Sequence, residues 1–86
     1  MKGITETGLI DLIDAGAVRA VAIVAQGDAW AVQIQIGTQW RTVRSKREDV
    51  RWWKSLDTAA RWLHGLGIAE WSVDARQYAP VQRSVE

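Results

Sequence analysis

The strictest constraint on the fold is the alternation of side chains between residues 29 and 36. Apolar side chains occupy every second position, and these are Trp30, Val32, Ile34 and Ile36. The positions between them hold Ala31, Gln33 and Gln35. Because successive side chains of a strand point to opposite faces, this pattern predicts a half-buried strand with one polar face.

Four further segments are predicted to complete an antiparallel sheet. They are residues 18–25, 39–45, 50–54 and 68–75. Gly37-Thr38 turns the chain into the segment 39–45. The register of that segment stays open, because a two-residue and a three-residue loop put opposite faces inward. Either Trp40 or Val43 is therefore expected to face the core.

Two helices are predicted from capping residues and from apolar side chains at helical spacing. The first covers residues 5–15, with Thr5 or Thr7 as its cap and Gly16 as its stop. The second begins after the cap Ser55 and ends at Gly67. Its apolar stripe consists of Ala59, Trp62, Leu63 and Leu66.

The expected fold class is therefore α+β, in the order αββββαβ. It consists of an antiparallel β-meander of about five strands, a short N-terminal helix and one helix packed on the sheet. Residues 1–75 are predicted to form a single domain. Residues 76–86 have no periodicity and are expected to be a flexible C-terminal tail.

The composition limits how such a small domain can be stabilised. A domain of 86 residues buries only about 60% of the surface of its unfolded chain, so it needs a dense core. Six tryptophans in a chain without phenylalanine supply that density. The absence of cysteine fits a cytoplasmic protein. Neither a signal peptide nor an apolar run of about 20 residues is recognised, so no contact with a membrane is expected.

No arrangement of residues in the sequence predicts catalysis. His64 is the only histidine, and no acid stands at a catalytic spacing from it. No glycine-rich phosphate loop is present. The neighbouring carboxylates, Asp11 with Asp14 and Glu48 with Asp49, are interpreted as solvated side chains of a helix and a turn. We therefore expect a protein that is not an enzyme, with no metal, no cofactor and no small-molecule substrate.

Positive charge is concentrated between residues 41 and 54, which we call the basic segment. This segment contains Arg41, Arg44, Lys46, Arg47, Arg51 and Lys54. Against Glu48 and Asp49 it carries +4, and because the whole chain is +1 the remainder carries −3. Such a segment could neutralise DNA phosphates. Charged residues also protect exposed strand edges from pairing with other chains, and that interpretation competes with the first.

The tryptophans divide into two groups. Four of them share faces with aliphatic residues or face the second helix and are expected in the core: Trp30, Trp53, Trp62 and Trp71. Trp52 and Trp53 are adjacent in the fourth predicted strand, so a sheet covered on one side cannot bury both. We therefore expect Trp52 or Trp40 to be partly exposed, where an indole can stack on a base or centre a protein interface.

Several short motifs resemble those of the small ParC-type plasmid partition-associated proteins. They are Gly3-Ile4-Thr5, the run from Leu12 to Val18, Trp30-Ala31-Val32, the segment Arg51-x-Trp53-x-Ser55-Leu56-Asp57-Thr58-Ala59-Ala60, and Leu66-Gly67-Ile68. The resemblance covers about residues 3–75. It implies an accessory role in stable plasmid inheritance and supplies no catalytic residues.

Two functional hypotheses follow. In the first, the basic segment contacts the phosphates of duplex DNA or of a DNA-bound partition complex, and Gln33 and Gln35 reach base edges. A fold-level similarity to the arm-binding domains of tyrosine integrases supports it, since these lay a three-stranded sheet in the major groove; its groove candidates are Gln33, Gln35, Arg41, Arg44 and Lys46. In the second, Trp40 and Trp52 bind a protein partner or a second copy of the chain, without direct DNA contact.

Overall fold

A four-stranded sheet and two helices make up residues 3–79, the part of the chain that the computed structural model describes. The elements in order are α1 (Glu6–Asp14), β1 (Val18–Gln26), β2 (Ala29–Ile36), β3 (Gln39–Thr42), α2 (Leu56–Gly65) and β4 (Ser72–Asp74). The predicted α+β class is confirmed. Within residues 3–79, no helix is long and apolar enough to span a bilayer.

The strands lie in the order β3-β2-β1-β4. β1 and β2 form an antiparallel hairpin, and β2 and β3 form the next one. In the second hairpin Ile36 pairs with Gln39, so the loop has two residues, and Gly37 has the positive φ of 62° that a tight turn needs at its first position. This register buries Val43 and leaves Trp40 exposed, which resolves the alternative left open by the sequence.

The predicted sheet needs one correction in strand direction, because β4 pairs parallel with β1. The segment that connects β3 to α2 contains Trp53, which pairs antiparallel with Trp30 of β2. The chain then runs back along α2, so the strand that follows takes the same direction as β1 and β3. A helical crossover of this kind produces a parallel pair, whereas a meander requires hairpins only. The sheet is therefore mixed.

A second correction concerns residues 50–54, which were predicted to be a strand. Only Trp53 pairs there, exchanging backbone hydrogen bonds of 2.8 and 2.9 Å with Trp30. β3 already occupies the same edge of β2, from Gln33 to Ile36. Each stretch of a strand edge can pair with only one neighbouring segment. Residues 50–54 therefore lie beside β2 beyond the end of β3, after a loop, and do not form a separate strand. The sheet has four strands in the described residues, not about five.

The core lies between the helices and one face of the sheet. Leu9 of α1 and Leu63 of α2 are fully buried in one cluster with Ile23, Val32 and Ile34. Trp30 and Trp53 are only 6% and 7% exposed. The partly buried side chains of Trp62 and Trp71 pack against the same cluster, so the expected core position of these four tryptophans is confirmed.

The predicted helix ends also occur in the structure. Thr5 Oγ1 accepts a hydrogen bond from the backbone N–H of Gly8 at 3.2 Å, and Ser55 Oγ accepts one from Thr58 at 3.1 Å. Beyond the C-terminus of α2, Ile68 N donates to the Leu63 carbonyl at 3.1 Å, while Gly67 adopts a φ of 91°. This is the hydrogen-bond pattern of a glycine-terminated helix.

Residues 76–79 lie against the β1–β2 hairpin. The backbone N–H of Gly27 donates to the Gln77 carbonyl at 3.0 Å, and Ala79 N donates to the Gly27 carbonyl at 2.8 Å. The Tyr78 ring lies 5.1 Å from that of Trp30. The prediction of a flexible tail over 76–86 falls mostly outside the described residues, and both it and the domain boundary at residue 75 stay predictions.

One ion pair at the end of β4 gives a testable pH dependence. The pKa of Asp74 is lowered to about 2 by hydrogen bonds from the side chain and then the backbone N–H of Arg76. A carboxylate with a depressed pKa stabilises the fold fully above its unfolded value of 3.8, and the contribution is lost as the pH falls through about 2. We expect an NMR titration of Asp74 to give a midpoint near 2 that moves toward 3.8 in Arg76→Gln. An identical midpoint in the variant would contradict the assignment.

Candidate functional site

The structure distributes the basic segment over several environments. Lys46, Arg47 and Lys54 are exposed, whereas Arg41, Arg44 and Arg51 are partly buried. Of the ion pairs formed within residues 3–79, only one involves this segment, the pair between Arg51 and Glu6. The other five cations of the segment form no ion pair within residues 3–79, and three of them, Lys46, Arg47 and Lys54, are exposed.

Arg51 is held inside a cluster that joins α1 to α2. Its Nη1 lies 3.2 Å from the Glu6 carboxylate, and its guanidinium stands 4.8 and 5.0 Å from the ring centroids of Trp53 and Trp62. Trp62 Nε1 donates to the same carboxylate oxygen at 3.3 Å. Cation–π contacts and a shared carboxylate fix this side chain in place. Arg51 is thus largely occupied by contacts within the fold.

Arg41 and Arg44 belong to the edge of the sheet at and just after β3. Arg41 pairs in register with Ile34, a core residue, so it lies on the side of the sheet that carries the helices. The Nε atoms of Arg41 and Arg44 are both buried and find no hydrogen-bond partner among the described residues. Arg44 also borders a cavity of about 250 Å³ at the N-terminus of α1. Its lining comprises Thr5, Glu6, Thr7, Arg44, Ser45, Lys46 and Arg51.

The two glutamines lie on the other side of the sheet. Gln33 pairs with Thr42 and Gln35 with Trp40, so these four side chains share a face, and Arg41 lies on the opposite one. We call the face turned away from the helices the open face. Its members that are paired in β1, β2 and β3 are Ala20, Ala22, Val24, Gln26, Ala29, Ala31, Gln33, Gln35, Trp40 and Thr42. None of these ten residues is charged, so the glutamines and the basic residues form two surfaces.

Both of the tryptophans that were candidates for exposure are exposed, Trp40 by 47% and Trp52 by 44%. Trp40 belongs to the open face through its pairing with Gln35. Trp52 reaches the same face from the loop after β3. There it borders a shallow cavity of about 110 Å³ lined by Val24, Gln26, Ala31, Gln33, Thr42, Val50 and Trp52.

The sequence interpretation missed the small residues of this surface. Ala20 and Ala22 alternate with Val21 and Ile23 along β1, and Ala22 is itself buried. That alternation was visible in the sequence, but the apolar character of both sets of residues hid it. With the register known, the two alanines lie beside Gln35 and Gln33.

No group of residues suited to catalysis stands out from the described region. Within residues 3–79, no three His, Cys, Asp or Glu side chains come together in a way that could hold a metal ion. His64 is exposed on α2. The features that remain as candidates for function are the basic segment and the open face with its two indoles.

The fold and these surfaces define a small α+β domain in which, within residues 3–79, helices cover one side of the mixed sheet. The chain belongs to the ParC-like family, whose sequence model matches residues 4–82. The resemblance drawn from the sequence motifs is thereby confirmed, and the family suggests a role related to plasmid partition. No curated protein and no solved structure matched the chain.

Proposed function

We propose that this chain is an accessory protein of plasmid partition, acting in the cytoplasm as a non-catalytic binding module. It contacts duplex DNA, bare or in a DNA-bound partition complex, through the basic segment. The observation that carries the proposal is the excess of unpaired cations on one stretch of chain. Five of the six basic residues of 41–54 make no ion pair within residues 3–79.

The distribution of charge favours phosphate contact over simple protection of the β3 edge. Edge protection needs one or two charged side chains on the edge strand itself. Here β3 contributes only Arg41, while Lys46, Arg47 and Lys54 lie beyond its end. These three side chains are exposed, which suits contacts that neutralise phosphates without reading the base sequence.

The position of the two glutamines argues against base contacts made together with the phosphate contacts. Gln33 and Gln35 lie on the open face and Arg41 on the opposite side of the sheet. One groove therefore cannot receive Arg41 and both glutamines in the way that a three-stranded DNA-binding sheet would. We assign phosphate contacts to the exposed cations and expect binding with little sequence preference.

The proposal is tested by fluorescence anisotropy of a labelled duplex at several salt concentrations. With three to five phosphate contacts, log K should fall against log salt with a slope of about −3 to −5. Lys46→Gln with Arg47→Gln should reduce the steepness by about 2 and weaken binding at low salt about tenfold or more.

Arg19→Gln is the matched control, because Arg19 is an exposed cation on β1 outside the basic segment. It should leave the slope nearly unchanged. The proposal fails if the wild-type chain does not bind at low salt, or if the control and the double variant alter the slope equally.

Protein interaction is a second candidate role, favoured by the two indoles on the uncharged open face. In this role the chain is an adaptor that reaches DNA only through a partner. Pull-down from a plasmid-bearing host with wild-type chain and with Trp52→Ala tests it. Equal recovery of partition proteins by both would count against a role for this face in that contact.

A further inference from the structure

The cavity of about 250 Å³ beside the first turn of α1, which we call the α1 cavity, is bordered by three cations and three hydroxyl groups. The cations are Arg44, Lys46 and Arg51, and the hydroxyls belong to Thr5, Thr7 and Ser45. Glu6 is the one carboxylate of the lining, so the charge around the cavity is +2. Such a set of hydrogen-bond donors is complementary to an anion with several acceptor oxygens.

The carboxylate of Glu6 is already engaged within the fold. Its Oε1 accepts hydrogen bonds from Arg51 Nη1 at 3.2 Å and from Trp62 Nε1 at 3.3 Å. Among the described residues it forms no ion pair with Arg44 or Lys46, although these side chains border the same cavity. Arg51 is therefore neutralised by Glu6, whereas the other two cations of the lining have no counter-ion in the described part of the chain.

Arg44 supplies the observation that most favours a ligand. Its Nε is buried and finds no hydrogen-bond partner within residues 3–79. Buried donors are nearly always satisfied in folded proteins, and an unpaired one costs stability. The Nε of Arg41 is also unpartnered, but Arg41 does not border this cavity. An acceptor that enters the α1 cavity from solution can complete the hydrogen bonding of the Arg44 guanidinium.

The two walls of the cavity are joined by main-chain hydrogen bonds. Ile4 N donates to the Thr42 carbonyl at 2.9 Å, and Arg44 N donates to the Ile4 carbonyl at 2.8 Å. The stem of Arg44 packs on Gly3, where an added Cβ would stand 3.3 Å from Arg44 Cβ and 3.4 Å from its Cδ. The guanidinium is thus positioned before a ligand arrives, so its binding loses little conformational entropy.

Two of the hydroxyl groups keep a proton to donate. Thr5 Oγ1 accepts from Gly8 N at 3.2 Å, and Ser45 Oγ accepts from Glu48 N at 3.0 Å. A hydroxyl has one donor besides its two acceptor lone pairs, so each can still donate to a ligand. The bond to Ser45 also holds the turn that carries Lys46.

Phosphate matches this arrangement by shape and size. Its oxygens point in four directions, and donors reach the cavity from two sides, the start of α1 and the segment 44–46. Arginine and lysine are common partners of phosphate oxygens in proteins. A water molecule takes up about 30 Å³ in the liquid, so a cavity of about 250 Å³ admits a phosphate group together with several waters.

We propose that the α1 cavity binds one phosphate group, held by the Arg44 guanidinium and the Lys46 ammonium, with the hydroxyls of Thr5 and Ser45 as further donors. The group is inorganic phosphate or a phosphodiester of the DNA backbone. In the second case the inference rests on the proposed function and deepens it. One backbone phosphate is then held at a fixed place, while Arg47 and Lys54 make contacts on the surface around it.

An NMR titration of the full chain with sodium phosphate, at an ionic strength held constant with sodium chloride, tests the site. The backbone amide signals of residues 5–7 and 44–46 should shift and saturate, with a dissociation constant of about 1–10 mM. Arg44→Gln should weaken binding about tenfold or more, because charge-assisted hydrogen bonds are lost. Lys46→Gln alters an exposed side chain and should weaken binding at least about threefold in a fully folded protein.

Lys54→Gln is the matched control, since Lys54 is an exposed cation of the basic segment that does not border the cavity. It should bind phosphate like the wild type, and the dispersion of the amide signals should show that each variant is folded. The inference fails if the wild-type signals move no more in phosphate than in chloride. It fails equally if Lys54→Gln weakens binding as much as Lys46→Gln does.

A duplex with 5′-hydroxyl ends, which carries phosphodiesters only, identifies the source of the group. If it shifts the same amide signals and inorganic phosphate competes with it, the site holds a backbone phosphate. If it leaves them in place while inorganic phosphate shifts them, the site takes the free ion. If the duplex binds and neither ligand shifts them, the proposed function stands and the inference is overturned. Phosphate binding without any duplex binding supports the site and refutes the proposed function.

Discussion

Trp53→Ala should destabilise the protein by about 3–5 kcal/mol, whereas the same change at the adjacent Trp52 should cost about 1 kcal/mol or less. Trp53 is 7% exposed, packs 4.9 Å from the Trp62 ring and carries the Arg51 guanidinium on its face. Removing its indole leaves a cavity and releases Arg51. Trp52 is 44% exposed and loses few contacts in dilute solution.

Chemical and thermal unfolding of the two variants measure this difference. For a domain of this size 1 kcal/mol corresponds to about 4–8 °C in Tm, so Trp53→Ala should lower Tm by more than about 10 °C. The midpoint for Trp52→Ala should stay within a few degrees of the wild type. Equal losses for the two variants would mean that the division between core and surface tryptophans is wrong.

Gly3→Ala should also destabilise the fold, by about 1–3 kcal/mol. A Cβ at Gly3 would overlap the backbone carbonyl oxygen of Thr42, which accepts a hydrogen bond from Ile4 N at 2.9 Å. The overlapping atom belongs to the backbone of the sheet edge, so the Ile4–Val43 bridge must open to make room. This contact joins the segment before α1 to β3.

Gly8→Ala is the matched control, since a Cβ there lies 3.5 Å from Ile4 Cγ2 and Thr5 Oγ1, which is ordinary contact. Gly8 lies inside α1, where alanine is favoured over glycine by up to about 1 kcal/mol. We expect this variant to unfold at a higher denaturant concentration than the wild type. A Gly8→Ala protein less stable than Gly3→Ala would contradict the packing described for the N-terminal segment.

The local elements were predictable because each depends on short-range chemistry. The alternation over 29–36 predicted β2, and the caps Thr5 and Ser55 lie where the sequence placed them. The core positions of Trp30 and Trp53 follow from strand alternation, and Trp62 lies on the apolar stripe of α2. The motifs that resemble ParC-type proteins were also sufficient to indicate the family.

The direction of β4, the absence of a strand at 50–54 and the division of the basic segment were decided only by the tertiary structure. Each of these features depends on which segment pairs with the outer edge of β2 or of β1. The sequence of a single segment does not show which other segments can pair with the same edge. The two-residue loop at Gly37-Thr38 then set which of Trp40 and Arg41 joined the open face. A slip of one residue would have reversed them, because neighbouring side chains of a strand lie on opposite faces.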